Sequence, residues 1–417
     1  MTPRELVATR AGRNSLVAGA VLAVGIAVAS RGARPAAPRR IAIEAHCADA
    51  VACALVERLA VDVWSEQHGP GLPIDVVVLD RDLAQLAAAG VTWEVLVDDI
   101  DAVARDEAQR LRAAPAVQAF AQPADWYAEY RDYRAITTRM NELAELAPEL
   151  VSVHGIGNTI ENRPLWAVRI GGRTADARPM LINGTQHARE WISAMVTTCV
   201  AERLVRGYAQ DPAIRAFVDR TELWVIPVVN PDGYQYSWAG SRYWRKNRRG
   251  SHGVDLNRNW DLAWGGLGSS NRRSAEDYHG ESPFSEPETA AIRDLVKREG
   301  IALHVDFHAF GQLLLYPWGY TATPAPDKAL LAAIGDRMAS AMFAAHQAQY
   351  KLISSVELYP AAGTMTDWLY GGAKALSYTV ELRPGRGGRS GFVLPPAQIA
   401  PTCDEGLAAV LALRAAH

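Results

Sequence analysis

The sequence has little of several features that mark specialised classes of protein. Its 417 residues contain only four cysteines and no Cys-x-x-Cys pair, which argues against a structural zinc site built from thiolates. The formal net charge of −3 excludes the strongly basic surface that binding to nucleic acid or to an anionic membrane requires. We find no internal repeat and no low-complexity tract. What remains is 49% apolar and 21% charged residues, which is typical of a globular protein and, at this length, of two domains.

The hydrophobic stretch near the N-terminus is too short to span a bilayer. Residues 15–29 are uncharged, follow three arginines and end in Ala-Val-Ala, a small-x-small pattern typical of signal-peptidase sites. A membrane-spanning helix needs about 20 apolar residues. We therefore interpret residues 1–29 as a secretory signal peptide, with a retained membrane anchor as the alternative.

The pairing of the four cysteines stays open at the level of sequence. Cys47 and Cys53 lie six residues apart at a predicted strand-to-helix junction, where a short disulfide is allowed but not required. Cys199 and Cys403 each fall in a predicted apolar helix, where a buried free thiol is as consistent with the sequence as a disulfide.

Residues 40–100 alternate between short strand-like and helix-like segments. RIAIEAH, LPIDVVVLD and VTWEVLVDD predict strands, whereas DAVACALVERLA and RDLAQLAAAG predict helices. This pattern indicates a small α+β domain. A charged helical segment, IDAVARDEAQRLRAAPA, and an irregular connector, AFAQPADW, follow it.

After Trp126 the strand-like segments become apolar throughout. PLWAVRIGG, PMLINGT, ELWVIPVVN, IALHVDF and ALSYTVEL alternate with helical segments, which predicts an α/β domain with a buried sheet flanked by helices on both faces. One of these helices is predicted to begin with Ser285 and Glu288 in a capping box and to stop at Gly300.

Four polar residues stand at the ends of predicted strands. His187 and Glu190 follow PMLINGT, His308 follows IALHVDF, and Glu381 lies near the end of ALSYTVEL. Ligands of α/β sheets collect at such ends. Two histidines and a carboxylate are the ligand set of hydrolytic zinc, which lowers the pKa of its water to about 7, and a second carboxylate can then carry the proton. The structural alternatives are a helix start for His187 and Glu190, a core histidine at 308, and an ion pair between Glu381 and Arg383.

Seven blocks of sequence resemble one known family in order and approximate spacing. They are TQHAREW, VNPDGYQYS, RYWRKNR, GVDLNRNWD, YHGESPFSEPE, VDFHAFGQLLLYPWGY, and TVELRPGR followed by GFVLPP. On these blocks the chain is similar to the zinc carboxypeptidases of the A and B type. The resemblance implies a metallocarboxypeptidase-like fold with a mixed, mostly parallel central sheet.

The resemblance also implies a role for each residue of the site. It makes His187, Glu190 and His308 the ligands of one zinc ion, Glu381 the general base and acid, and Arg245 the group that stabilises the oxyanion. The zinc-bound water is then the nucleophile. The substrate, the C-terminus of a peptide or protein, is expected to contact Arg189, Asn257, Arg258, Tyr359 and Thr366. An arginine suits a terminal carboxylate because its planar fork binds both oxygens.

Members of this family carry an inhibitory propeptide, which implies a division of the whole chain. We expect a ferredoxin-like α+β propeptide at 30–112, a linker at 113–123 and the catalytic domain at 124–417. An activating protease would cut after Arg110 or Arg112. The expected location is extracellular, or periplasmic or membrane-anchored if the signal is not cleaved, with no stable membrane association after its removal.

Thr366 precedes Asp367-Trp368, where the family places the base of its specificity pocket. A neutral residue there, with Ser354 and Thr379 nearby, predicts preference for uncharged apolar or aromatic C-terminal residues, because a buried unpaired charge is costly. Glu357 is the acid that would reverse this preference if it turned inward. Departures from the family pattern are Phe310 in place of tyrosine, a longer loop RPGRGGRSGF, and no counterpart of a loop disulfide.

Three alternatives compete with a carboxypeptidase. They are a deacylase or cell-wall peptidase of the same fold, a non-catalytic peptide-binding relative, and a purely structural α/β protein. The last does not account for Glu381 in an apolar strand.

Overall fold

The computed structural model describes residues 38–65, 70–116, 118–385 and 391–416. The predicted signal peptide lies outside these residues, as does the centre of the loop after Glu381, at 386–390. Among the helices that the structure describes, none has the length and apolarity needed to cross a membrane.

Residues 40–113, here called the N-terminal region, form a four-stranded antiparallel sheet with helices. Its elements are β1 (Arg40–His46), α1 (Ala50–Leu59), β2 (Asp62–Val63), β3 (Pro73–Leu79), α2 (Leu83–Ala88), β4 (Thr92–Val97) and α3 (Ile100–Ala113). The strand order is β2-β3-β1-β4, which is the βαββαβ arrangement of the ferredoxin-like fold that the sequence predicted. The two-residue strand β2 was not predicted.

Both faces of this small sheet are buried, as the alternation of its strands requires. Ile41 and Ile43 of β1 point toward α1 and α2, whereas Ala42 between them points to the opposite face. Asp49 and Asp99 cap α1 and α3 by accepting hydrogen bonds from backbone N–H groups of the first turn. A disulfide between Cys47 and Cys53 joins the end of β1 to α1.

Residues 123–415 alternate strands and helices, and they are here called the catalytic region because the family resemblance places the expected catalytic domain at 124–417. Its helices are α4 (Pro123–Trp126), α5 (Tyr133–Leu146), α6 (Trp191–Gly207), α7 (Pro212–Arg220), α8 (Pro231–Trp238), α9 (Pro287–Glu299), α10 (Lys328–His346), α11 (Ser355–Leu358), α12 (Met365–Gly371) and α13 (Ile399–Ala415). Its strands are β5 (Val151–Asn158), β6 (Pro164–Gly171), β7 (Arg178–Gly184), β8 (Thr221–Ile226), β9 (Leu303–Gly311), β10 (Leu313–Tyr316), β11 (Lys351–Ser354) and β12 (Leu376–Gly385).

The eight strands form one mixed sheet in the order β11-β10-β12-β9-β7-β8-β6-β5. The centre, from β12 to β8, is parallel, and antiparallel pairs lie toward both edges. Apolar residues of α5, α6, α10 and α13 cover one face, and those of α9 and α12 cover the other. The predicted α/β class, with a mixed sheet flanked by helices, is confirmed.

Two local predictions have different outcomes. A disulfide joins Cys199 of α6 to Cys403 of α13, so neither cysteine is a free thiol. The predicted capping box before α9 is wrong: Glu286 is the N-cap residue, and no side chain caps the helix. Ser285 instead donates to Glu286 and accepts a hydrogen bond from Asn259. The helix does stop at Gly300, which adopts the left-handed conformation with φ of 62°.

Candidate active site

The register of the central strands brings the predicted site residues to one edge of the sheet. Strand β9 runs parallel to both β7 and β12, and His308 lies directly beside Glu381. β7 ends at Gly184, and the turn that follows it carries His187 and Glu190. The four residues therefore converge at the carboxyl ends of parallel strands.

The turn with His187 and Glu190 is fixed by hydrogen bonds from both sides. The Ser193 hydroxyl, in the first turn of α6, accepts from the backbone N–H of Thr185 at 3.0 Å and donates to the carbonyl of Glu190 at 2.7 Å. The N–H of Ala188 donates to the carbonyl of Arg245 at 2.8 Å. These bonds set the direction of both polar side chains.

The side chains of His187, Glu190 and His308 point their ligand atoms at a common centre. The two Nδ1 atoms lie 3.1 Å apart, and each lies within 3.0 Å of a Glu190 carboxylate oxygen. All three residues are buried. Four ligands 2.0–2.1 Å from a zinc ion are separated from one another by about 3.3 Å, and two histidines with one carboxylate are a zinc donor set. The arrangement therefore fits zinc.

A carboxylate behind each histidine supports the same interpretation. Nε2 of His187 lies 3.2 Å from Asp255 Oδ1, and Nε2 of His308 lies 3.0 Å from Asp306 Oδ2. Because a carboxylate only accepts, each ring carries its proton on Nε2 and leaves the Nδ1 lone pair for a metal. Burial alone would raise the pKa of Asp255, but Arg245 and His187 outweigh it and hold that pKa below its usual range.

Glu381 lies at the same cavity as His187, Glu190 and His308, which are here called the metal group. Burial raises its pKa to about 7, an effect that Glu190 strengthens and His308, His187 and Arg245 oppose. Such a value suits a group that takes up and returns a proton near neutral pH. The alternative ion pair is not formed, because Arg383 binds Glu405 instead, with Nε to Oε1 at 3.1 Å.

Arg245 is held beside His187 by a shared carboxylate. Its Nη2 donates to Asp255 Oδ2 at 2.8 Å, and its Nη1 lies 3.4 Å from the His187 ring. Burial lowers the pKa of Arg245, but Asp255 more than compensates and the pKa is raised above its usual value. The guanidinium therefore stays charged at the edge of the metal group.

A cavity of about 80 Å³ lies over this group. Of the predicted site residues, it is lined by His187, Glu190, Arg245, Asn257, His308, Tyr359 and Glu381. Asn257 stands in a 3₁₀ turn, Leu256–Arg258, and its Oδ1 accepts from the backbone of Met365 at 2.9 Å. Burial raises the pKa of Tyr359 to about 12, while Arg258 opposes the rise.

Three predicted substrate residues do not line this cavity. Arg258 is 1% exposed, and its guanidinium donates to the carbonyls of Gly268 and Asn257. Thr366 is buried, with its hydroxyl 2.6 Å from that of Thr379. Arg189 lines a second cavity of about 510 Å³, beside the loop 268–277, which also contacts Arg245.

The N-terminal region forms the outer wall of both cavities. Its residues at the first cavity are Glu44, Trp64, Ser65, Pro73 and Asp75. Asp62 lies 3.3 Å from Nη1 of Arg189, and the Trp64 ring packs on the rings of Tyr243 and Phe392 with centroids 5.4 and 5.3 Å apart. Glu107 of α3 forms a buried ion pair with Arg242, 2.5 Å from carboxylate to Nε.

Comparison with known proteins agrees with this geometry. The profile of the zinc carboxypeptidases matches residues 136–409, more than half of the chain. Carboxypeptidase A1 of Rattus norvegicus is 34% identical over 369 residues, which cover 86% of this chain and 87% of that protein. The chain belongs to the zinc carboxypeptidase family. The enzyme is therefore a metallocarboxypeptidase, and the resemblance inferred from its sequence blocks is confirmed.

Solved structures extend the likeness to almost the whole chain. The enzyme superimposes on thrombin activatable fibrinolysis inhibitor with a TM-score of 0.81 and 28% identity, covering 90% of this chain and 98% of that one. Carboxypeptidase A from Helicoverpa armigera gives a TM-score of 0.80 and 28% identity, covering 91% and 98%. This coverage exceeds the span of the catalytic region, so the likeness includes part of the N-terminal region.

The sequence interpretation missed the carboxylates behind the zinc-type ligands. Asp255 lies two residues before Asn257 in a block that was used only for the substrate residues. Asp306 stands two residues before His308 in a strand, and residues two apart in a strand share a face. That spacing was the signal for a partner of His308.

Proposed function

We propose that the enzyme hydrolyses the C-terminal peptide bond of peptides and proteins and releases single C-terminal amino acids whose side chains are neutral and apolar or aromatic. The observation that carries the proposal is the convergence of His187, Glu190 and His308 on one point beside Glu381 and Arg245. A deacylase or cell-wall peptidase of the same fold would share the His187, Glu190 and His308 set, but Asn257 and Tyr359, which line the same cavity, favour a peptide terminus as substrate.

In the proposed mechanism each residue has a separate task. His187, Glu190 and His308 hold zinc, which supplies a Lewis acid and lowers the pKa of water when bound. Glu381 takes a proton from the attacking water and returns it to the departing amine. Arg245, kept charged by Asp255, donates hydrogen bonds to the carbonyl oxygen as negative charge develops there, a role of about 3–4 kcal/mol.

Substrate orientation is assigned to the cavity and the residues beside it. Asn257 and Arg258 bind the terminal carboxylate, Tyr359 closes over it, and Arg189 contacts the next residue inward. Nε and Nη1 of Arg258 donate to the backbone carbonyls of Gly268 and Asn257, which hold the guanidinium next to Asn257.

The proposed specificity rests on hydroxyls that satisfy one another. Thr366 and Thr379 share a hydrogen bond of 2.6 Å, and Ser354 donates to Glu357 at 2.7 Å. Glu357 is itself exposed, so its charge has access to water. A charged substrate side chain buried against Thr366 would lack a counter-ion, and we expect Phe or Leu to be released in preference to Lys, Arg or Glu.

We also propose that residues 30–112, which include nearly all of the N-terminal region, are an inhibitory propeptide, followed by a linker at 113–123 and the catalytic domain at 124–417. Support comes from Asp62, Trp64 and Glu107, which cover or bind groups of the catalytic region. Of the two predicted cleavage sites, Arg110 is ion-paired with Glu129 at 2.7 Å, whereas Arg112 is exposed in the last turn of α3. An activating protease is therefore expected to cut after Arg112.

An extracellular or periplasmic location completes the proposal. The disulfides Cys47–Cys53 and Cys199–Cys403 are typical of oxidising compartments, and the predicted signal at 1–29 supplies the export route. N-terminal sequencing of the exported protein tests it, with a mature end near residue 30 as the expected result.

The deciding experiment offers peptides ending in Phe, Leu, Lys, Arg or Glu to the full chain and to the chain beginning near Ala113. Zinc content is measured first. Release of Phe or Leu only after removal of the N-terminal region supports both the activity and the propeptide. Release chiefly of Lys or Arg would contradict the specificity, and equal activity of the two chains would contradict inhibition. No release despite one bound zinc would favour the deacylase.

A further inference from the structure

A row of buried polar side chains runs along β9 behind the metal group. His304, Asp306 and His308 alternate with the apolar Val305 and Phe307, so the three polar side chains share one face of the strand. Each is at most 1% exposed. The four steps along the strand from His304 to His308 span about 13 Å, so the row reaches from the site into the interior of the sheet. Buried polar groups are costly unless every one is hydrogen-bonded, so the partners of this row reveal its role.

The neighbouring strands supply partners in register with the row. Asn183 of β7 lies beside Asp306, and Ser377 of β12 lies beside His304. Asn183 Nδ2 donates to Asp306 Oδ1 at 2.7 Å, and Asn183 Oδ1 lies 2.7 Å from His304 Nε2. His304 Nδ1 lies 2.7 Å from the Ser377 hydroxyl. A second amide, Gln186 Nε2, donates to Asp306 Oδ2 at 2.6 Å.

The chemistry of these groups fixes the direction of every hydrogen bond. A carboxylate only accepts, so Asn183 must turn its NH₂ group to Asp306 and its oxygen toward His304. His304 then carries its proton on Nε2, which donates to that oxygen, and its bare Nδ1 accepts from the Ser377 hydroxyl. Burial lowers the pKa of His304 to about 4, which agrees with a neutral ring.

The same rule applies at the other end of the row, where His308 meets the metal group. His308 Nε2 donates to Asp306 Oδ2 at 3.0 Å, so its Nδ1 lone pair faces His187 and Glu190. If Asp306 turned, the His308 proton would be free to move to Nδ1 and block the ligand atom. The orientation of Asp306 therefore decides whether His308 can bind a metal.

We propose that Ser377, His304, Asn183 and Asp306 form a chain of positioning residues that keeps His308 in its metal-binding tautomer. The inference rests on the proposed function, because it takes His187, Glu190 and His308 as the zinc site. His187 is supported differently from His308. Asp255 accepts hydrogen bonds from both His187 and Arg245, whereas among the described site residues Asp306 accepts one from His308. Substitutions of these four positioning residues should therefore weaken zinc binding with little effect on substrate binding.

The test measures the zinc dissociation constant and the rate of zinc release to a chelator, using the full chain. Asp306→Asn keeps the shape but removes the pure acceptor, and we expect about 10–100-fold weaker zinc binding. His304→Leu leaves the Asn183 oxygen without its donor, and we expect roughly 3–10-fold weaker binding. The matched variant His304→Gln retains a donor for Asn183 and an acceptor for Ser377, so its dissociation constant should stay within about twofold.

Two further measurements separate this role from a purely structural one. At saturating zinc, the chain beginning near Ala113 with Asp306→Asn should keep its KM within about threefold. The unfolding midpoints of the metal-free variants show how much stability each change costs by itself. If Asp306→Asn does not fold, Gln186→Met removes one of the donors that hold Asp306 and should weaken zinc binding about 3–10-fold.

Two results would overturn the inference itself. Unchanged zinc affinity in Asp306→Asn, with only the metal-free stability lowered, would make the row structural. Equal weakening by His304→Leu and His304→Gln would show that hydrogen-bond direction is not what matters at His304. Absence of zinc binding by the unsubstituted chain would instead contradict the proposed function, on which the inference depends.

Discussion

The two sheets of the molecule differ in the polarity of the residues that they bury at their centre. In the N-terminal region, the sheet face under α1 and α2 is apolar, with Ile43 and Val76 fully buried. In the catalytic region, the central strand β9 buries a histidine, an aspartate and a second histidine on one face. An apolar core is the cheaper way to stabilise a sheet, so the polar row is retained where it supports a metal site. The first sheet belongs to the region that lines the outer wall of both cavities, and the second positions residues of the candidate active site.

The regions also differ in what they contribute where they meet. The N-terminal region supplies the acids Asp62 and Glu107, and the catalytic region supplies the arginines Arg189 and Arg242. Arg242 also donates to the carbonyl of Arg189 at 2.7 Å, so the two ion pairs are linked through one backbone group. Two acids of the N-terminal region are thus ion-paired with arginines of the catalytic region.

The largest effect should come from the proton carrier of the catalytic region. In the chain beginning near Ala113, Glu381→Gln should lower kcat by about 10³-fold, because the amide cannot take up a proton. Zinc content should not change, since Glu381 is not one of the three converging ligands. Glu145→Gln, at an exposed position of α5, is the control and should keep full activity. More than a tenth of the activity in Glu381→Gln would remove Glu381 from its role.

The second prediction breaks the core of the N-terminal region. Ile43→Ala removes a fully buried side chain and should destabilise that region by about 2–4 kcal/mol. Uncleaved chains should then gain peptidase activity, because the destabilised N-terminal region would block the cavity less. Peptidase activity and thermal unfolding are measured on the same samples. Val51→Ala, at a position of α1 that is 81% exposed, should change neither quantity. A destabilised N-terminal region without a gain in peptidase activity would show that the fold of this region is not needed for inhibition.

A third prediction concerns a buried acid of the catalytic region away from the metal group. Burial raises the pKa of Glu288 to about 8, and Glu286 and Asp232 add to the rise. The folded state therefore keeps a proton that the unfolded state loses near pH 4.5. The free energy of unfolding consequently falls as the pH rises from about 4.5 to about 8. Denaturant unfolding at pH 5, 7 and 9 should show the decline.

Glu288→Gln should flatten that decline. Between pH 5 and pH 9, its free energy of unfolding should fall by about 1–3 kcal/mol less than that of the unsubstituted protein. Glu145→Gln again provides the control, because its side chain is exposed. Parallel pH profiles for Glu288→Gln and the unsubstituted chain would show that the Glu288 carboxyl does not retain its proton when folded.

The smallest effect is expected at the contact between the regions. Asp62→Asn removes the ion pair with Arg189, in which the Asp62 side chain is 18% exposed. Such a pair contributes about 1 kcal/mol, so the activity of uncleaved chains should rise roughly fivefold. Asp106→Asn, at an exposed position of α3, is the matched control. An unchanged activity in Asp62→Asn would show that this ion pair does not contribute to inhibition.

The fold was predictable where local pattern and burial agree. The strands of the N-terminal region alternate between two buried faces, and the apolar strands of the catalytic region match a sheet covered on both sides. The capping box failed because Ser285 binds Asn259, which is 26 residues away in sequence. A local rule cannot register a competing partner that only the tertiary structure brings near.

The site was predictable in its residue types and less so in its orientations. The spacing of His187 and Glu190 and the distant His308 indicated a ligand set, and the structure places their ligand atoms together. Arg258 and Thr366 are turned into hydrogen bonds with their own surroundings, which depends on packing that no motif encodes. The alternation of polar and apolar residues in LHVDFH places Asp306 and His308 on the same face of the strand, so this partner was predictable from the sequence.

The bond between Cys199 and Cys403 shapes the state that the enzyme leaves when it unfolds. It joins residues 204 positions apart, so the denatured chain keeps a closed ring that contains His308 and Glu381, whereas His187 and Glu190 lie outside it. In the chain-entropy description, closing a ring of this size removes conformations worth about 5 kcal/mol from the denatured ensemble. Denatured molecules with the bond intact are therefore more compact than linear ones, and refolding begins with α6 and α13 already tethered.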